Sequence, residues 1–158
     1  MHYLVRLIIE APDAAEARNI AESTMDDLVE WREFDWYTTT AEDSRWEDCW
    51  KPMKMSTKKA QELVKDAMHG QLDEFKQTMA TIRLMLDGYT NEQIYNEEFT
   101  QVDGHYLSRY QFSRASGYHA NACQLFGPGG DSITSQRGLE YYLKDTKNLW
   151  LVQVDAHN

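Results

Sequence analysis

"HYLVRLIIEAPDAAEARNIAESTMDDLVEW", residues 2–31, decides how the rest of the chain is read. Tyr3, Val5, Leu7 and Ile9 fall on alternate positions, the period of a strand with a well-buried face. Pro12 and Asp13 then make a helix start, and Glu16 follows Asp13 at capping-box spacing. Ala14, Ala17, Ile20, Ala21, Met25, Leu28 and Val29 recur at helical period. "EFDWYTTT", residues 33–40, is rich in aromatic and β-branched side chains and predicts a second strand. Residues 1–40 thus read as strand, helix, strand.

The end of the chain repeats that pattern. "YHANACQLF", residues 118–126, predicts a strand, and Ile133, Leu139, Tyr142 and Leu143 mark a short helix near 133–144. "LWLVQVD", residues 149–155, closes as a strand with Trp150, Val152 and Val154 on one face. Between the two units, residues 41–56 show no period and read as a loop. An amphipathic stripe from Thr57 to Asp87 uses Ala60, Leu63, Val64, Ala67, Leu72, Phe75, Met79, Ile82 and Leu86, and Gly88 stops it. Thr90 and Gln93 offer a capping box for a helix over 91–98, and 104–116 reads as a further helix.

Two split βαβ units predict an α+β fold, a ferredoxin-like double βαβ sandwich with strand order 4-1-3-2. Both crossover helices are expected on one sheet face, with a helical insertion between the units. The expected organisation is a single domain, 1–158: a first unit at 1–40, loop and insertion at 41–117, and a second unit at 118–158.

The net charge of −10 is unevenly placed. Residues 1–51 carry five basic and thirteen acidic side chains, a balance of −8, and the remaining residues come to −2. This balance disfavours nonspecific attachment to nucleic acid or anionic membrane, and it permits a basic protein partner. No apolar run approaches a membrane span, and the start does not read as a signal peptide. Cys49 and Cys123 alone give no disulfide framework, so a reducing cytoplasm is the expected compartment.

Three places could carry function. Trp31, Trp36, Trp46 and Trp50 lie within twenty residues and are interleaved with acids. Tryptophan is enriched at interface hot spots, so Trp36, Trp46 and Trp50 form the first candidate surface; the alternative has Trp31 and Trp36 filling the core while Trp46 and Trp50 pin the loop. The second is "LFGPGGDSITSQRGL", residues 125–139. Gly127, Gly129, Gly130, Ser132 and Arg137 could bind a nucleotide or phosphorylated ligand through backbone N–H groups at a helix start. The P-loop Gly-Lys-Ser/Thr is missing, however, and Pro128–Gly129 equally suits a type II turn, with Asp131 or Ser132 capping the next helix. The expected strand order would bring this loop to His2, Asp155 and His157, a set suited to acid–base chemistry or a divalent metal. Exposed, frayed histidines are the plainer reading.

The third place is "MLDGYTNEQIYNEEFTQVDGHYLSRYQFSR", residues 85–114. It resembles helix-turn-helix segments, which implies DNA contacts from His105, Ser108, Arg109, Gln111 and Arg114. Tyr95 stands where that family packs a small residue.

"LWLVQVDAHN" and "HYLVRLIIEA" together resemble small uncharacterised proteins of tailed phages and other mobile elements. The resemblance implies an accessory or host-modulating role and transfers no catalytic residue. The leading expectation is a non-enzymatic acidic interaction protein, an inhibitor or modulator of a nucleic-acid-handling protein. Phosphoryl-ligand binding is the alternative, and DNA binding comes third. No cofactor or metal set and no catalytic residue emerges from the motifs, and the long helix could also seat a homodimer.

Overall fold

The computed structural model describes residues 1–99, 109, 110, 112 and 123–158. The fold is α+β with a mixed five-stranded sheet. In chain order the elements are β1 (His2–Glu10), α1 (Ala14–Glu30), β2 (Trp36–Tyr37), β3 (Met53–Lys54) and α2 (Lys58–Gly88), followed by α3 (Asn91–Tyr95), β4 (Cys123–Phe126), α4 (Gln136–Tyr142) and β5 (Leu149–His157). The chain divides into two compact units, Met1–Gly70 with Asn121–Asn158, and Gln71–Ala120. Among the described residues, no helix is long and apolar enough to cross a membrane.

The sheet lies in the first unit. β1 pairs parallel with β4 and antiparallel with β5 along its whole length, from His2↔His157 to Glu10↔Leu149. β2 and β3 both pair with the other edge of β5, giving the order β2-β5-β1-β4. The expected order 4-1-3-2 is therefore corrected: its run of fourth, first and third strands stands as β5-β1-β4, but the second strand moves to the opposite edge, beside β5. The physical reason lies at β4. Its outer edge is closed by the chain's own return, through the bridge Phe126↔Ser132 and the 2.8 Å bond from Ile133 N to Leu125 O.

Alternation along β1 fills two cores rather than one. Val5, Leu7 and Ile9 meet Val152, Val154 and Ala156 of β5 under α1, which contributes Ala17, Ala21, Met25 and Leu28. Ile8, Leu125 and Leu151 face the other way, against Ala60 and Val64 of α2 and Leu139 of α4. The two crossover helices thus cover opposite faces, not one. This follows from the sequence of β1 itself, whose even positions Leu4 and Ile8 are as buried as the odd ones.

Local signals explain the helix ends. Asp13 accepts the Glu16 N–H at 2.9 Å and starts α1. Arg32 ends it in the left-handed region at φ 64°, with Arg32 N bonded to Val29 O and Glu33 N to Leu28 O, a Schellman arrangement.

The other edge of β5 is covered piecewise by residues 35–55. Asp35 N, Thr38 N, Trp50 N and Met55 N donate in turn to the carbonyls of His157, Asp155, Gln153 and Leu149. The stretch read as a loop is thus the sheet's edge protection, built without a periodic strand.

In the second unit, the helix buries Gln71, Thr78, Ile82 and Met85, while Leu72 and Leu86 are exposed. The stripe expected from sequence is correct at Ile82 and one residue out of phase at the two leucines. Thr90 and Gln93 form the reciprocal capping box of α3.

Candidate functional site

Where β1 begins and β5 ends, a cluster of rings closes over a buried carboxylate. Asp155 is 0% exposed, with Oδ1 at 2.8 Å from His2 Nδ1 and Oδ2 accepting the Arg45 N–H at 2.7 Å. His157, in register with His2, stacks on Trp36 at 4.9 Å between ring centroids. His2 meets both rings edge-on, at 5.1 Å from His157 and 6.0 Å from Trp36. His157 Nδ1 is buried and has no hydrogen-bond partner among the described residues. The Met1 amino group lies 3.1 Å from its Nε2, and Asn158 N donates to Met1 O at 3.0 Å. The terminal histidines are therefore tied down rather than frayed.

A carboxylate holding Nδ1 leaves Nε2 of His2 as the basic nitrogen, the geometry of an acid–base pair. No serine, threonine or cysteine side chain is hydrogen bonded to His2 among the described residues. No three His, Cys, Asp or Glu side chains among the described residues form a metal-holding group.

The same face continues into a buried polar row. Arg6 donates from Nε to Gln153 Oε1 at 2.8 Å and from Nη1 to Leu63 O at 2.6 Å. Gln153 Nε2 in turn donates to Glu47 O at 3.2 Å. This buried guanidinium gave no sequence signal beyond its place in an apolar strand.

The glycine loop lies elsewhere. Parallel pairing sets Phe126 beside Leu7, five residues along β1 from His2, which is about 17 Å at ~3.3 Å per residue. The loop does not meet His2, Asp155 or His157. Gly130 N donates to Gly127 O at 3.1 Å with Gly129 at φ 84°, the expected type II turn at Pro128–Gly129. Gly127 N is bonded to Asp131 O at 2.8 Å, so two of the loop's N–H groups are already used internally. Ser135, not Asp131 or Ser132, caps α4 by accepting the Gly138 N–H. Asp131 instead accepts from Tyr142 Oη at 3.1 Å. Arg137 is exposed on α4.

The tryptophans separate by role. Trp50 is 3% exposed, sits at φ 60° and donates from its indole N–H to Thr38 O. Trp46 is partly buried against the core. Neither offers the free surface expected of it, whereas Trp36 and Trp31 are 46% and 58% exposed. Of the residues assigned to DNA contact, His105, Ser108, Gln111 and Arg114 lie outside the described residues. Arg109 pairs with Glu97 at 3.2 Å and lies over the Tyr95 ring.

Both cysteines are buried, and neither forms a disulfide among the described residues. Burial pushes the Cys123 thiol up to about 11 and raises Cys49 as well. A folded-state value above the ordinary 9.0 means that protonated Cys123 favours the fold fully below pH 9, and that this contribution is lost as pH rises towards 11. Urea midpoints are expected to fall across that window, less steeply in Cys123→Ala. Equal slopes in both proteins would contradict the assignment.

A cavity of about 350 Å³ opens between α2 and α4, lined by Met55, Gln61, Val64, Lys65, Met68, His69, Gln136, Leu139, Leu143 and Thr146. Sequence reading passed over it because its walls come from two separate segments. The i, i+4 pair Lys65 and His69 was the available signal.

No curated protein and no solved structure matches the chain. Nothing in these comparisons ties it to phages or mobile elements. The family model described as "Domain of unknown function (DUF7995)" matches residues 1–158, the whole chain, which therefore belongs to that family.

Proposed function

We propose that the protein is a non-enzymatic interaction module that docks a basic protein partner through the segment Glu30–Trp36. The observation that carries this reading is a pair of exposed tryptophans held on a fixed backbone. Trp31 and Trp36 remain 58% and 46% exposed, although the residues between them are anchored. Arg32 closes the helix in its left-handed turn, Phe34 is buried, and Asp35 N is bonded to His157 O at 2.8 Å. The segment exposes Glu30, Glu33 and Asp35 against one cation, Arg32, so it carries net negative charge.

Preorganised indoles lose little entropy on docking and are favoured at hot spots, and the carboxylates steer a cationic surface towards them. A protein that itself handles nucleic acid carries such a surface, so modulation of one fits this charge pattern.

Affinity capture from extract, with the bound protein identified, tests the reading. Trp31→Ala/Trp36→Ala is expected to weaken binding of that partner at least about tenfold, in line with hot-spot losses of ~2 kcal/mol or more. Raising the salt concentration is expected to weaken it further. A partner whose binding ignores both changes would overturn the proposal.

A further inference from the structure

The cavity between α2 and α4 is chemically unlike the rest of the chain. We infer that it is a binding site for a small monocarboxylate with an apolar body, for which Lys65 and His69 receive the head group.

Three observations support this. The volume, about 350 Å³, falls at the lower end of the range for small-molecule sites. At ~30 Å³ per water-sized unit, it accommodates on the order of a dozen non-hydrogen atoms. Its apolar wall is built from Val64 and Leu139, which also belong to the core, and from the adaptable thioethers of Met55 and Met68. Such a wall receives a flexible hydrocarbon body without demanding one shape.

Charge fixes the other end. Among the described residues no Asp or Glu lines the cavity, in a chain that carries 26 of them, while Lys65 and His69 stand one helical turn apart along it. Among the described residues Lys65 forms no ion pair, although Lys51, Lys58, Lys59 and Lys76 each pair with a carboxylate. The remaining polar lining, Gln61, Gln136 and Thr146, is neutral and can donate hydrogen bonds. One fixed cation with neutral donors suits a single negative charge. A dianionic phosphate is less well matched here, because the net charge of −10 opposes multiply charged anions.

The site is separate from the Glu30–Trp36 segment, so either proposal can fail alone. Decanoate, decanol and decylamine serve as probes against full-length protein carrying ¹³C-methyl methionine. Decanoate is expected to shift the Met55 and Met68 methyl signals, leave those of the buried Met25 and Met85 in place, and bind at least about tenfold more tightly than decanol or decylamine. Lys65→Met and Lys65→Gln, both at an exposed position, are expected to raise the decanoate Kd about tenfold with little change for decanol. Absence of shifts at Met55 and Met68, equal binding of decanoate and decanol, or an unchanged Kd in both Lys65 variants would each overturn the assignment.

Discussion

Phe34→Ala is expected to lower the unfolding free energy by about 3–5 kcal/mol, the usual cost of emptying a phenylalanine site in a core. Phe34 is buried, with its ring edge-on to Phe126 at 6.2 Å between centroids and 6.4 Å from Tyr3. It therefore ties β1, β4 and the chain leaving α1 to one another. The same substitution should loosen the backbone between Trp31 and Trp36 and broaden the response of their fluorescence. Phe34→Leu, which keeps most of the volume, should recover more than half of the loss. Urea unfolding of the three proteins provides the check. A loss below about 1 kcal/mol in Phe34→Ala would mean that this ring is not the anchor described here.

The second large effect is expected at the buried carboxylate. His2→Ala removes one of two donors from Asp155, which has no access to water, and should cost about 2–3 kcal/mol. Arg45 N–H alone would then hold a fully enclosed charge. Asp155→Leu alone leaves the Arg45 N–H without its acceptor, whereas combining it with His2→Ala removes both members of the pair. The double variant is expected to lose at least about 1 kcal/mol less than the sum of the single losses. Strict additivity in urea unfolding would show that the 2.8 Å contact does not couple the two residues.

How much of this was legible in the sequence depends on whether the signal was local. Asp13 with Glu16, Thr90 with Gln93, and Pro128–Gly129 each act within four residues; the structure forms the last two as read, and of the first it forms the half in which Asp13 accepts the Glu16 N–H. β1 and β5 were equally plain as strands, but the single buried face read from their alternation was half of the answer, since both faces of each are covered. The edge of β5 was not legible. Asp48 and Trp50 both adopt φ 60° without being glycine, so the chain bends in and out of pairing with no periodic run. The strand order depended on which edge of β4 was free, a question decided by the return at Ser132 rather than by any strand's composition.

The site followed the same rule. His2 and His157 could be placed together from the pairing of the terminal strands, but the Arg45 N–H that completes the Asp155 environment belongs to a stretch with no period. For Trp46 and Trp50 the flanking acids left surface and loop-pinning roles equally open. Their burial arises from packing against segments distant in sequence, which flanking residues do not report.

The placement of β1 also bears on how the chain reaches its native state. The strand lies at the centre of the sheet, yet its partners are residues 123–126 and 149–157. Helices α1 and α2 can begin to form from local contacts, but the sheet cannot close until the last nine-residue strand has arrived. Such distant pairings carry a large closure entropy and place folding in the slower, millisecond-to-second class. During that interval, both backbone edges of a strand that carries Leu4, Val5, Leu7, Ile8 and Ile9 stand open to another chain. Refolding yield should therefore fall as protein concentration rises, and His2–Glu10 is the segment through which misassembly would start.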